Sequence, residues 1–368
     1  MERVKELDGV RGLAILLVIL YHIGPYAEEF TGSPILVSIY NSMQIGWLGV
    51  DIFFVLSGFL ITDILLRARE KQNYFKNFYA RRILRIFPVY YVVVGLLLIL
   101  LPSLETTRGI QEQSSWLFFV FYQQNWLYIL QRPVSAYLTV TWSLAIEEQF
   151  YLIWPTVVKW LDNKKLVIVT SVAFIFSLGL RLFISHLPLD LNYAEKINYY
   201  ATFTRLDGLM VGALIAIVYQ SQAWKVWLRR FAWPVFGSSL LALIYILTGK
   251  SVEPFSKNVM VTTWSFSALA LFGGSLIVLL KSLSENNWLR IIFRNGILGF
   301  FGKYSYAMYL VHAPIIFFLN HEFLNANLKG GAVSLALIAV SILSIILVSL
   351  ISWNLLEKRV LSLKTYFE

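Results

Sequence analysis

The chain contains no cysteine. Disulfide frameworks, thiolate nucleophiles and cysteine-ligated metals are therefore excluded. Charge is also scarce: Asp, Glu, Lys and Arg make up 14% of the residues, against about 25% in an ordinary soluble domain. The shortage is worse for acids, with 21 Asp and Glu against 31 Lys and Arg. There is no internal repeat, low-complexity tract or separate soluble region. Residues 1–25 do not form a cleaved leader, because the apolar run is preceded by Glu6 and Asp8, holds His22 and lacks a small-x-small site. What fills the 368 residues instead is apolar: 58% are hydrophobic and 16% aromatic, with a mean hydropathy of +0.67. A soluble fold of this length could not shield so much apolar surface from water. The fold class that follows is an all-α integral membrane protein. A disordered chain, a secreted disulfide scaffold and a nucleic-acid binder fit poorly, even at a net charge of +10.

A membrane helix needs about 20 mostly apolar residues. Ten segments meet this: 10–29, 44–66, 84–101, 143–160, 166–185, 203–219, 232–248, 262–280, 298–319 and 332–355. They make one transmembrane domain over 1–360 with a short tail at 361–368. With the N-terminus in the cytoplasm and ten crossings, 22 basic residues fall in cytoplasmic segments and six outside (Arg108, Arg132, Lys196, Lys250, Lys257 and Lys329). That bias is the positive-inside signal, and it puts both termini in the cytoplasm of a multi-pass inner (plasma) membrane protein. An eleventh apolar stretch, 115–130, is short and holds Gln123, Gln124 and Asn125. A full crossing there would turn the later basic clusters outward, so it is expected to re-enter from outside or lie along the interface.

Ionisable residues inside spans are costly and are functional candidates by default. Arg11 opens the first span and His22 follows 11 residues later. At 100° per residue both share one helix face, about 16 Å apart along the axis. Asp51 lies in the outer half of the second span, in GWLGVDIFFVLSGFLIT, where Ser57 and the glycines suit close helix packing. Glu147 and Glu148 sit near the start of the fourth span, in TWSLAIEEQFYLIWP, followed by Gln149. Adjacent residues point to different faces of a helix, which takes this pair beyond N-terminal capping. Arg181, Arg205 and Asp207 lie near the outer ends of spans five and six, where pairing between them and function are equally open. His312 belongs to the ninth span.

RRILRIFP places Arg81, Arg82 and Arg85 at the cytoplasmic mouth of the third span, with Arg82 and Arg85 facing the same way. Seven basic residues between 67 and 85 exceed what topology requires. The planar arginine fork suits phosphate oxygens. A phosphate-attracting mouth half a membrane from acid/base-capable residues fits a ligand with a phosphorylated head and a long thin arm. Coenzyme A has that shape, with its thioester presented near His22.

The same strings resemble the acyltransferase-3 family of integral membrane O-acyltransferases. The likeness rests on LDGVRGLAILLVILYH with Arg11 and His22, on GVDIFFVLSGFLIT, and on the Arg82/Arg85 pair followed by Pro88 and Tyr90. It continues through WSLAIEEQFYLIWP with Glu147, RLDGLMVGAL from Arg205, and SYAMYLVH ending at His312. It runs over essentially the whole chain. The resemblance implies ten spans, an acyl-CoA donor (usually acetyl-CoA) from the cytoplasm, and a sugar-hydroxyl acceptor on an envelope or exported glycan or glycolipid. It makes Arg11 and His22 catalytic-core residues and Arg82/Arg85 part of the donor region. Some members add a C-terminal SGNH-type domain; this chain is expected to be the stand-alone form, which raises a separate extracytoplasmic partner protein.

The resulting assignment has His22 as general base or acyl relay, oriented by Asp51 or Glu147 as in a hydrolase triad. Arg11, Arg81, Arg82 and Arg85 hold the CoA phosphates. Arg205, Asp207, His312, Asn125 and Gln149 contact the acceptor, and no metal is required. The rival reading is a proton-coupled exporter of a glycan or lipid with His22, Asp51 and Glu147 as proton relay. The absence of a repeat between the two halves weighs against it.

Overall fold

The computed structural model describes residues 4–24, 43–104, 116–247, 259–326 and 331–367, and all regular structure in them is helical. Ten helices lie where the ten apolar segments were expected. They are α1 (Lys5–Ile23), α2 (Leu48–Ala68), α3 (Tyr74–Leu104), α4 (Trp142–Trp160) and α5 (Asn163–His186). The second half holds α6 (Leu206–Val218), α7 (Gln222–Leu247), α8 (Val259–Ser282), α9 (Gly296–Asn325) and α10 (Gly331–Ser352). Six helical stretches are long and apolar enough to cross a membrane by length and composition. The ends of the first and seventh expected spans, and Arg3, Arg108, Lys250, Lys257 and Lys329, lie outside the described residues.

Helix boundaries follow local chemistry. The Asp162 carboxylate caps α5 by accepting from the Lys165 amide at 2.9 Å, and that bond holds its pKa below the ordinary carboxylate value. α3 begins ten residues before the apolar run at 84, because hydropathy marks only the lipid-facing part. The preceding YFKNFYARR continues the same helix with its basic groups able to reach the interface. The 115–130 stretch is not a continuous helix. It forms two five-residue helices, Trp116–Val120 and Asn125–Ile129, with Tyr122 between them at a left-handed φ of 52°.

α2 and α8 run through the centre of the bundle, with 72% and 78% of their most apolar stretches buried; α3, α5 and α7 bury only 22%. The peripheral helices present Ile99, Ile168, Ile175, Phe183 and Leu241 outward. An apolar belt around a buried, partly polar interior is the arrangement of a membrane protein. Inside it, α1 packs along α9 and against α2, while α6 packs along α2, α5 and α8.

In lipid the apolar drive between helices is weak, so close contact depends on small residues. Gly12 of α1 lies against the Leu298 carbonyl of α9, and Gly58 of α2 against the Leu209 carbonyl of α6; a Cβ at either position would overlap that oxygen. Gly95 of α3 has open space around it. Gly58→Ala is therefore expected to lower stability by about 1–3 kcal/mol, as overpacking does, and Gly95→Ala to leave it unchanged or slightly raised. Thermal unfolding in detergent checks both.

Candidate active site

Two adjoining cavities occupy the bundle interior. The first, about 110 Å³, is lined by Arg11 of α1, Ser57 of α2, Arg82 and Arg85 of α3, and Glu147, Glu148 and Tyr151 of α4. Arg82 and Arg85 come from one face of α3, as their spacing requires. Arg11 also contacts Asp8 at 3.2 Å. The Arg82 Nε is buried and has no hydrogen-bond partner within the protein. A desolvated guanidinium nitrogen without an acceptor is costly, and an incoming anion would relieve that cost.

Glu147 is held by two hydroxyls. Ser57 Oγ donates to its Oε1 at 2.8 Å and Tyr151 Oη to its Oε2 at 3.0 Å; the two hydroxyls are themselves 2.9 Å apart. Glu147 and Glu148 line the same cavity. The two adjacent acids diverge round α4, and this cavity wraps far enough to take both.

The second cavity, about 320 Å³, is lined by His22 and Tyr21 of α1, Gln44 and Trp47, Thr139, Trp142, Tyr199 and Tyr200. Val50 and Tyr309 line both cavities, so these two side chains are the partition between them. Tyr309 is fixed by a 2.6 Å bond with Ser143 Oγ and a 3.0 Å bond to the Val140 carbonyl.

His22 Nδ1 lies 2.9 Å from the Val18 carbonyl oxygen. A carbonyl only accepts, so Nδ1 carries the hydrogen and Nε2 keeps its lone pair. His312 meets the His22 ring edge to face at a centroid distance of 4.9 Å. Its Nδ1 is 2.7 Å from the Tyr309 carbonyl, and its buried Nε2 has no partner. The site thus holds two imidazoles in contact, both with Nδ1 committed to backbone carbonyls.

A third cluster lies deeper among the helices. Arg205 Nη2 donates to Asp51 Oδ1 at 2.8 Å, and Arg181 Nη2 to Asp207 Oδ2 at 2.8 Å. Ser267 of α8 bonds both Arg181 and Asp207, and Arg181 also donates to the carbonyls of Thr263 and Thr204. The Arg205 guanidinium stacks 3.7 Å over the Phe266 ring. All four charged side chains are almost completely buried.

The acyltransferase domain family matches residues 4–353. The chain belongs to this acyltransferase-3 family. Peptidoglycan O-acetyltransferase OatA of Listeria monocytogenes is 31% identical over 338 residues, covering 85% of this chain and 49% of its own. O-acetyltransferase OatA of Staphylococcus aureus is 28% identical over 373 residues, covering 95% of this chain and 56% of its own. The chain spans about half the length of the curated relatives it matches. No solved structure matches it.

Within this acyltransferase-3 domain several residues expected at the site are engaged elsewhere. Neither Asp51 nor Glu147 orients His22: Asp51 is taken by Arg205, Glu147 by Ser57 and Tyr151, and the Val18 carbonyl holds the imidazole. Arg205 and Asp207 line neither cavity, because the interior has drawn them into cross-helix ion pairs. Nor do they pair with each other. Asn125 and Gln149 also miss both cavities. Gln149 donates to the Tyr122 carbonyl at 2.8 Å and to Asn125 at 3.0 Å, and Asn125 donates to the Tyr200 carbonyl at 3.1 Å. They pin the 116–129 segment to α4. Arg81 does not line the arginine cavity and donates to the Asn77 carbonyl at 3.1 Å. His312 lies behind His22 and does not line the cavity.

Sequence reading missed Tyr151 and Tyr309 and gave Ser57 only a packing role. The i, i+4 spacing of Glu147 and Tyr151 was the available signal for one of them.

Asp51→Asn in this domain leaves Arg205 buried without its carboxylate and is expected to cost about 3–5 kcal/mol. The double variant Asp51→Leu/Arg205→Met removes both charges and is expected to unfold at a higher temperature than Asp51→Asn. Thermal unfolding of the two variants side by side checks the pair.

Proposed function

We propose that this chain is a membrane O-acyltransferase that moves an acyl group, in the first instance acetyl, from cytoplasmic acyl-CoA to a hydroxyl of an envelope glycan. The supporting observation is the junction of the two cavities: an arginine-lined one meets a histidine-lined one across Val50 and Tyr309. Family membership and the O-acetyltransferase names of the two relatives point the same way. The ten helices cross the inner membrane with both termini in the cytoplasm, which puts the arginine cavity on the donor side.

Arg11, Arg82 and Arg85 take the phosphates of CoA, the unpartnered Arg82 Nε among the donors. The thin arm of the cofactor passes Tyr309 and brings the thioester carbonyl to the His22 cavity. There the Nε2 lone pair of His22 removes the proton of the acceptor hydroxyl as its oxygen attacks the carbonyl carbon. The new C–O bond forms, the C–S bond breaks, and the departing CoA thiolate takes the proton from His22. His312, in ring contact with His22, holds the imidazole in place. In the relay variant Nε2 itself takes the acyl group before the acceptor does.

Purified protein in vesicles, given radiolabelled acetyl-CoA and peptidoglycan strands, is expected to transfer label to the glycan. His22→Ala is expected to reduce transfer by about 10²–10⁴-fold, the usual range for a lost general base. Full activity in that variant would sink both the base and the relay. Arg82→Glu/Arg85→Glu is expected to abolish CoA binding measured by calorimetry, with the His22→Ala protein still binding it. Accumulation of glycan driven by a proton gradient, without labelling, would replace the enzyme with a transporter.

A further inference from the structure

Past the last apolar segment the helix runs on. A π turn, Trp353–Glu357, leads into the short helices Lys358–Ser362 and Leu363–Phe367, and these two pack back against α3. α3 there carries Arg81, Arg82 and Arg85. Lys364 is half-buried against it, and its charged neighbours are Arg85, Arg82 and Arg81. We propose that Lys364 binds the 3′-phosphate of the CoA ribose and so makes the protein select CoA over dephospho-CoA. The proposal rests on the acyl-transfer reading above and adds a specificity-determining residue at the far end of the donor.

The distribution of acids singles out this lysine. Arg11 is paired with Asp8 at 3.2 Å. Glu147 and Glu148 share a cavity with Arg82, and Glu148 is among its charged neighbours. Glu357 faces Arg85, while its Oε1 accepts from Ser352 at 3.2 Å. Arg81 donates its Nε to the Asn77 carbonyl, a neutral group that leaves its charge in place. Lys364 has no hydrogen bond and no ion pair, and no carboxylate stands near it among the described residues. Burial first, and then the three arginines, push its ammonium pKa down to about 7. Like charges gathered in this way repel one another. A phosphate dianion set among them removes the repulsion and returns the lysine to full charge.

Position decides which phosphate. α3 enters from the cytoplasm, so Arg81 precedes Arg82 and Arg85 on the way in. The C-terminal helix runs the other way, toward the cytoplasm. Lys364 follows Glu357 by seven residues, about 10 Å further out along the helix. Arg82 and Arg85 line the arginine cavity and Lys364 does not. The lysine therefore stands at the cytoplasmic entrance, ahead of those two arginines. The donor carries its charges in the same order. Counted from the thioester, the pyrophosphate comes first and the 3′-phosphate last. With the thioester at His22 and the pyrophosphate on Arg82 and Arg85, the terminal phosphate meets the terminal cation. A lysine suits a phosphate monoester, because its ammonium is a compact charge with three rotatable donors.

An anionic lipid headgroup offers the same phosphate chemistry, and the test separates the two. Purified full-length protein in detergent is titrated by calorimetry with CoA and with 3′-dephospho-CoA, which keeps the pyrophosphate. The unaltered protein is expected to bind CoA at least about tenfold more tightly, the size of one hydrogen bond to a charged group. Lys364→Ala is expected to lower CoA affinity to that of dephospho-CoA. Its binding of dephospho-CoA is expected to stay as in the unaltered protein, which also reports the fold. Lys364→Arg is expected to retain the preference. A preference that survives Lys364→Ala overturns the assignment; if that variant also loses co-purifying anionic phospholipid, the lysine belongs to a lipid headgroup. An equal loss for both ligands overturns it too and moves the lysine to the pyrophosphate or to the architecture of the mouth. Equal affinity of the unaltered protein for both ligands removes the role of Lys364 and leaves the acyl-CoA reading standing. Failure to bind either ligand removes both.

Discussion

A carboxylate inside a membrane helix must find a cation, and Asp51 finds Arg205 at 2.8 Å. The contact reaches across 154 positions of sequence and fixes the rotation of α2 against α6. Once α2 is turned that way, its other faces follow. Gly58 lies against the Leu209 carbonyl of α6. Ser57 reaches Glu147 of α4. Val50 stands between the two cavities. A slip of α2 would break a buried ion pair, strip Glu147 of a hydrogen bond and open or close the passage together. Arg181 and Asp207 extend the same constraint to α5 and α8 through Ser267. These buried charges thus act as a frame on which the linings of both cavities are held.

That frame divides the site by chemistry. The arginine cavity gathers three cations against two carboxylates, and one of those carboxylates is already bonded by two hydroxyls. The histidine cavity is lined by aromatic and uncharged polar side chains. A phosphorylated head and a reacting carbonyl need opposite surroundings: one wants fixed positive charge, the other a neutral base with its lone pair free. The acyl transfer proposed above puts the two on opposite sides of Tyr309.

Much of this was legible in the sequence, and the misses have identifiable causes. The apolar segments marked the ten longest helices among the described residues, six of them long and apolar enough to cross a membrane. The Arg82/Arg85 spacing correctly placed both on one face, because helical phase is local. The 115–130 stretch was set apart by its glutamines and by the charge count that follows it, and it forms two short helices joined through Tyr122. Partner choice was not legible. Asp51 has several cations available, and only the packing of α2 on α6 selects Arg205 over Arg181. Adjacent Glu147 and Glu148 share a cavity because its curvature is set by four other helices. Asn125 and Gln149 looked like ligand contacts, since a buried amide demands partners; those partners turned out to be each other and nearby backbone.

The two histidines show why an imidazole in this setting takes a backbone anchor. A carboxylate beside His22, as in a hydrolase triad, would bring another desolvated charge into an interior that already holds two paired aspartates. The Val18 carbonyl fixes the same tautomer without adding charge. His312 repeats the solution, with its Nδ1 bonded to the carbonyl of Tyr309, the residue that partitions the cavities. Any movement of α9 at Tyr309 therefore shifts the partition and the second imidazole together. The contact between the two cavities and the packing of the two imidazoles are coupled through one turn of helix.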